Sequence, residues 1–197
     1  PNIIVSSTGS APLLPPIAGL KDRIDNENHN IYSILGMISH INDFPKDLEG
    51  KKVVVVGGGA VGLDVVEFFA DRNADISIVE MMDQIGRDLD PVSKNDTKTM
   101  MKKHNVHQLT KTALLEVKDS SFLVKGDGEP YELPFEYGFV CLGMRAQGQL
   151  YQNLTEEFSS EDVEIMNIGD SQRARRIIDG TQEGRNILTI LEQKGYL

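Results

Sequence analysis

Six residues near the middle of the chain have the types and spacing needed to hold phosphate: Gly57-Gly58-Gly59-Ala60-Val61-Gly62. In the pattern Gly57-x-Gly59-x-x-Gly62, the first glycine permits a tight turn and the second lets the backbone approach a pyrophosphate. The third lets a helix pack closely on a strand. The N–H groups of Ala60 and Val61, at the start of that helix, would face the phosphates, where the helix dipole favours negative charge. Glu80 stands 18 residues beyond Gly62, at the end of the next apolar run. A carboxylate in that place accepts hydrogen bonds from ribose hydroxyls and repels a 2′-phosphate. Met81 and Met82 follow it rather than an arginine, which favours NADH over NADPH. Arg87 is a cation that a mobile loop could bring to a 2′-phosphate.

The surrounding pattern supplies the elements such a turn requires. Val53–Val56 is a run of four β-branched residues, too apolar for a strand with one wet face and suited to the centre of a parallel sheet covered on both sides. A helix of about a dozen residues through Arg72 and a strand at Ile76–Glu80 complete a βαβ unit. A second helix is expected over Pro91–His104 and a third strand over Val106–Leu109. Ala113–Lys118, Ser121–Lys125 and Tyr131–Pro134 then read as short strands of an antiparallel meander, with Asp127-Gly128 as a turn. Tyr137–Leu142 is a further buried strand. Near the start, residues 2–7 read as a strand ended by Thr8-Gly9-Ser10, and Pro12, Pro15 and Pro16 oppose regular structure. Residues 20–30 read as a polar linker, and the apolar residues at 31, 34, 35, 38 and 41 as an amphipathic helix. Residues 150–162 look loop-like, Val163–Ile168 strand-like and ended by Gly169-Asp170. A last helix is expected from Arg175, with Ile177, Ile178, Thr181, Ile187, Leu188 and Leu191 as its apolar stripe.

Composition narrows the function classes. The 197 residues carry a net charge of −10, which repels a phosphate backbone and argues against nucleic-acid partners. No apolar stretch approaches the ~20 residues needed to span a bilayer. The single cysteine, Cys141, leaves no internal disulfide, Cys-x-x-Cys centre or multi-cysteine zinc site within this stretch, and a reducing, cytoplasmic setting is expected. His104 and His107 are close in sequence but lack a third ligand, so no metal site is expected.

Taken together, Thr8-Gly9-Ser10, the Gly57–Gly62 fingerprint, Leu142-Gly143 and Ile168-Gly169-Asp170 resemble, in order and spacing, two-dinucleotide-domain flavoproteins. The run from Val53 to Pro91 is most similar to the C-terminal part of the old-yellow-enzyme-like NADH:flavin oxidoreductases, the group of 2,4-dienoyl-CoA reductase, enoate reductase and trimethylamine dehydrogenase. The resemblance covers most of residues 1–20, 46–148 and 163–192. It implies an α/β fold in which a Rossmann-like βαβ domain with a parallel sheet and an antiparallel β-meander is flanked by remnants of a second, FAD-binding domain. The divisions it implies are 1–45 (partial FAD-domain strand and linker), 46–148 (NAD(H) domain) and 149–197 (partial FAD-domain strand and C-terminal helix). It assigns Gly143 to the NAD site and places Asp64 where the family usually has a glutamate near the nicotinamide–flavin junction. Thr8, Gly9, Ser10, Gly169 and Asp170 would touch FAD, with Asp170 accepting a hydrogen bond from the ribityl chain.

The family's FAD domain opens with a glycine motif of its own, and none precedes Thr8. The chain is therefore expected to be part of a larger protein, whose missing N-terminal region would hold most of the FAD and could carry FMN and an iron–sulfur cluster. The expected role is electron entry: NADH binds in the middle domain and passes hydride to FAD. No residue here is assigned a catalytic role, since the hydride chemistry is the cofactors' own, and the isolated chain is expected to be inactive. A non-catalytic NAD(H)-binding regulatory module and part of a disulfide-reductase-type flavoenzyme are the alternatives. A Rossmann methyltransferase is disfavoured by the meander and the Gly-Asp ending.

Overall fold

Val53, Val54, Val55 and Val56 are all buried, and successive side chains point to opposite faces of one sheet. In the computed structural model, which describes residues 2–196, they lie in the fourth strand in chain order. Ile3–Ser6 (β1), Ser10–Pro12 (β2), Leu20–Arg23 (α1), Ile31–Tyr32 (β3) and Ile34–Ser39 (α2) come first, followed by Lys52–Val56 (β4). The βαβ region continues with Ala60–Ala70 (α3), Asp75–Val79 (β5), Pro91–Lys103 (α4) and His107–Leu109 (β6). Ala113–Val117 (β7), Ser121–Lys125 (β8) and Tyr131–Pro134 (β9) precede Tyr137–Val140 (β10) and Met144–Ala146 (β11). Gln149–Glu157 (α5), Glu164–Asn167 (β12) and Ile177–Gln193 (α6) end the chain. Contacts divide these elements into a unit of residues 12–143 and a second unit made of residues 2–11 and 144–196.

In the unit of residues 12–143, five parallel strands lie in the order β3-β10-β4-β5-β6. One face of this sheet presents Val53, Val55, Ile76, Ile78 and Phe139 to Leu63, Val65, Val66 and Phe69 of α3 and to Met101 of α4. The other presents Ile31, Val54, Val56, Val79 and Val140 to the antiparallel β7-β8-β9 sheet, through Val117, Phe122 and Val124. Burial on both faces is the reason this strand run is continuously apolar. α4, which adds Met101 to one face, has a capped start. The Asp90 carboxylate supplies that start, accepting from the N–H groups of Val92 and Ser93.

The second unit has a thin core. β1 runs parallel to β12, β2 pairs with β11, and few side chains are fully buried, Ser6, Ser171 and Leu191 among them. The expected apolar stripe of the last helix is largely uncovered: Ile177, Ile178 and Leu188 are exposed, while Leu191 packs inward.

Four local expectations are corrected. Residues 20–30 are not a linker, because Leu20 is fully buried on the meander face and Arg23 pairs with Asp119 at 2.7 Å. The helix expected from Ile31 starts at Ile34, since Ile31 is a buried residue of the edge strand β3. Its Leu35, Ile38 and Ile41 are exposed, and Met37 points into the core instead. Residues 149–157 form a helix, α5, rather than a loop; Leu150, Tyr151 and Leu154 fall at helical spacing, although none of its side chains is fully buried. Pro12 ends a strand, which proline tolerates where it need not donate to the ladder. Residues 12–45 lie in the same compact unit as the five-stranded sheet.

Gly138 of β10 provides a test of the meander-side packing. A methyl there would lie 2.7 Å from the Phe122 ring and 2.8 Å from the Phe135 ring, themselves 4.5 Å apart. Gly138→Val should destabilise the chain by about 1–3 kcal/mol through overpacking, read as an earlier urea midpoint with unchanged slope. An unchanged midpoint would mean that the meander yields freely.

Candidate functional site

The glycine turn sits where β4 ends and α3 begins. Gly57 has φ +109°, a conformation that side chains rarely adopt, and a methyl on it would lie 2.1 Å from the Cys141 carbonyl oxygen. A methyl on Gly62 would lie 1.9 Å from the Gly57 carbonyl oxygen. These two glycines are therefore required by backbone packing. Gly59 differs: nothing lies within 4 Å of the place its side chain would occupy. It is the N-cap of α3 and offers no side-chain cap, so the first-turn N–H groups of Ala60 and Val61 open onto that space. Open space beside an uncapped helix start fits an anion.

Glu80 is half-buried at the end of β5 and reaches back to the same turn. Its Oε2 accepts the Gly58 N–H at 2.6 Å, and its Oε1 accepts the Met82 N–H at 2.7 Å. Each oxygen keeps lone-pair capacity for a further donor such as a ribose hydroxyl. Arg87 is exposed on the segment that follows.

Asp64, one turn into α3, has its carboxyl pushed up, first by partial burial and then by Glu67. Burial, helped by the charge of Asp64, pushes the Cys141 thiol up to about 12. A buried thiol of that kind is a poor nucleophile and a poor redox partner. Gly143, with φ +106° and open space beside it, accepts the Leu13 N–H at its carbonyl. Gly57, Gly58, Gly59, Ala60, Val61, Gly62 and Glu80 thus form one cluster. His107 lies away from it and pairs with Asp75 at 3.5 Å.

In the second unit, the Thr8–Ser10 turn and the Gly169-Asp170 turn are brought together. The Ser10 hydroxyl donates to Asp170 Oδ2 at 3.1 Å, and the Arg175 N–H donates to Oδ1 at 3.2 Å. The Thr8 hydroxyl donates to the Gln147 carbonyl at 2.6 Å, and the Gln147 N–H returns to the Gly9 carbonyl at 3.0 Å. Glu183 is a member of this cluster that sequence reasoning missed. It accepts the Gly169 N–H at 2.6 Å and pairs with the Arg175 guanidinium, which holds its carboxyl below the usual range. A signal was available, because an acid inside the last helix faces an arginine just before that helix.

A parallel sheet with a glycine turn after β4 and an acid at the end of β5 defines a dinucleotide-binding α/β protein. The chain belongs to the pyridine nucleotide-disulphide oxidoreductase family, whose profile matches residues 2–167. It is 26% identical over 185 residues to an NADH oxidase of Thermoanaerobacter brockii, covering 93% of this chain and 27% of that protein. It is 25% identical over 215 residues to a metal reductase of Desulforamulus reducens, covering 94% of this chain and 30% of that protein. The chain therefore spans under a third of the length of these relatives. Among solved structures, 2-naphthoyl-CoA reductase matches with a TM-score of 0.74 at 21% identity, over 93% of this chain and 26% of the other. Histamine dehydrogenase from Rhizobium sp. 4-9 matches with a TM-score of 0.73 at 14% identity, over 94% of this chain and 30% of the other. These structural likenesses concern the fold, and they agree with the α/β architecture expected from the sequence. No helix among the described residues is long and apolar enough to cross a membrane.

The Cys141 environment carries a test. At pH 8 the folded chain should resist alkylation by iodoacetamide, whereas the urea-unfolded chain should react readily. Between pH 9 and about 12 the unfolded thiol ionises while the folded one stays protonated, so this group's contribution to stability should fall as pH rises through that window. Rapid labelling of the folded chain at pH 8 would contradict the burial.

Proposed function

We propose that this chain is the NADH-binding module of a flavin-dependent oxidoreductase, delivering hydride from NADH to FAD within a larger protein. The observation that carries the reading is the pairing of open space at Gly59 with the Glu80 carboxylate on the same turn. Gly59, Ala60 and Val61 would hold the pyrophosphate on backbone N–H groups, with Gly57 and Gly62 allowing the close strand–helix approach. Glu80 would receive the adenosine ribose hydroxyls and repel a 2′-phosphate. Asp64, at the nicotinamide end of α3, and Gly143 would line the remainder of the dinucleotide path. NADH supplies a hydride when bound, and the chain's own contribution is position and electrostatics.

The NAD(H) role belongs to residues 46–148, and the FAD role to flanking segments 1–45 and 149–197. There Thr8, Gly9, Ser10, Gly169 and Asp170 would meet part of the flavin cofactor. Asp170 fits an acceptor for a ribityl hydroxyl, since Ser10 and Arg175 already orient it with two donors. The rest of the FAD, with any FMN or iron–sulfur cluster, would lie in other parts of the protein. Cytoplasmic action of such a module accords with its single, buried cysteine.

Titration of the chain with NADH and NADPH tests this reading. NADH should bind at least several-fold tighter. Glu80→Ala should weaken NADH by about ten- to a hundredfold, the loss of hydrogen bonds to a charged group at ~1.5–3 kcal/mol. Gly59→Val should abolish binding while circular dichroism shows an intact fold, because no protein atom lies within 4 Å of the new Cβ. Equal or tighter NADPH binding to the unmutated chain would point to Arg87 and against Glu80.

A further inference from the structure

Gly58 is the one residue of the turn's first three glycines left without a task by the phosphate-cradle reading, yet both of its backbone groups are engaged. Its N–H donates to Glu80 Oε2 at 2.6 Å, and its carbonyl accepts the Gly86 N–H at 2.7 Å. The Gly58 N–H is therefore committed to a side chain rather than open to phosphate, which leaves that duty to the donors after it. The other oxygen of Glu80 is held by the Met82 N–H at 2.7 Å. The carboxylate is thus suspended between the glycine turn and the segment after β5, and Gly86 ties that same segment back to the turn.

The space between Gly58 and Glu80 has room for a hydrogen atom and little more. A methyl on Gly58 would lie 2.9 Å from Glu80 Oε2, 3.1 Å from Ile85 Cγ1 and 3.2 Å from Glu80 Cβ. The backbone of Gly58 lies outside the left-handed region, so alanine could adopt its conformation. The conflict is therefore between side chains. The most easily moved atom is the carboxylate oxygen, whose retreat lengthens its 2.6 Å bond to the turn.

We propose that Gly58 is a positioning residue for dinucleotide choice: its bare Cα lets the Glu80 carboxylate dock on the turn, where it meets ribose hydroxyls and turns away a 2′-phosphate. This rests on the NAD(H) reading above. Gly58→Ala would leave Gly59 and the start of α3 in place, so the pyrophosphate hold persists. It would swing the carboxylate off its two backbone donors, and the NADH preference shrinks because the acceptor is no longer aimed.

The test is a double-mutant cycle on the chain with Gly58→Ala, Glu80→Ala and the pair, each titrated with NADH and with NADPH and each melted thermally. Gly58→Ala should cut the NADH-over-NADPH preference by about tenfold, chiefly through weaker NADH binding. In the Glu80→Ala background the same substitution should change that preference by less than about twofold, and the two losses in melting temperature should be non-additive. A preference unchanged in Gly58→Ala overturns the proposal, as does an equal effect in both backgrounds, which would mean that the methyl acts on the dinucleotide directly. Binding of neither dinucleotide to the unmutated chain overturns the NAD(H) reading instead, recognisable because the melting losses remain non-additive. Additive melting losses overturn the positioning of Glu80 by Gly58.

Discussion

The unit of residues 12–143 depends on a near-contact between backbone atoms at the end of β4. Gly62 in the first turn of α3 lies against the Gly57 carbonyl, and Gly57 lies against the Cys141 carbonyl at the end of β10. Three chain segments thus converge with no side chain between them. The close approach sets the height of α3 over the sheet, so that Leu63, Val65, Val66 and Phe69 reach the valine layer and are buried. A side chain at either glycine would lift the helix and open a gap beneath it, and interiors tolerate such gaps poorly. The same approach brings the N-terminal end of the helix to the carboxyl edge of the sheet. Fold stability and the geometry of the glycine turn are consequently one constraint.

Glu80 applies the same economy at the end of β5. Its backbone N–H donates to the Leu109 carbonyl and its carbonyl accepts the Thr112 N–H, which keeps the strand end in the sheet while the carboxylate serves the neighbouring turn. A side chain that satisfies backbone donors on two segments is held in one rotamer without help from a ligand. Preorganisation of this kind lowers the ordering cost of binding. In the second unit the Arg175–Glu183 pair does comparable work for Gly169, joining the Gly-Asp turn to α6.

Much of this was legible in the residues, for definable reasons. Val53–Val56 is buried on both faces and so reads as apolar throughout. Gly57 and Gly62 are forced by backbone approach, Gly59 belongs to the same spacing, and Asp127-Gly128 marks a turn of the meander. What stayed hidden depended on tertiary partners. Leu20 is one apolar residue in a polar run, and only the meander face of the sheet buries it. Ile31 shares the helical spacing of its successors but pairs with Gly138 in the sheet. Leu150, Tyr151 and Leu154 of α5 do have helical spacing, masked by the polar residues around them, and the stripe on α6 has the helical period yet remains mostly exposed. The link between Glu80 and Gly58 spans 22 positions and involves a backbone donor, so no sequence pattern announces it.

The pairing of β1 with β12 gives the chain an unusual order of events during synthesis. Ile3 pairs with Glu164, so β1 must await β12, which is made only after the whole of residues 12–143, before this ladder can close. Residues 12–143 contain all the strands of their own five-stranded sheet and can assemble as soon as β10 emerges. By then their folding has shortened the effective loop joining β1 to its partner, reducing the closure entropy of an otherwise very long-range contact. Until that moment the edge of β1 that β12 will cover is unpaired, a template for pairing with other chains. Its short length, four residues, limits that hazard. The topology thus favours vectorial folding: residues 12–143 carry a complete sheet before β12 is made, and the β1–β12 ladder can close only afterwards.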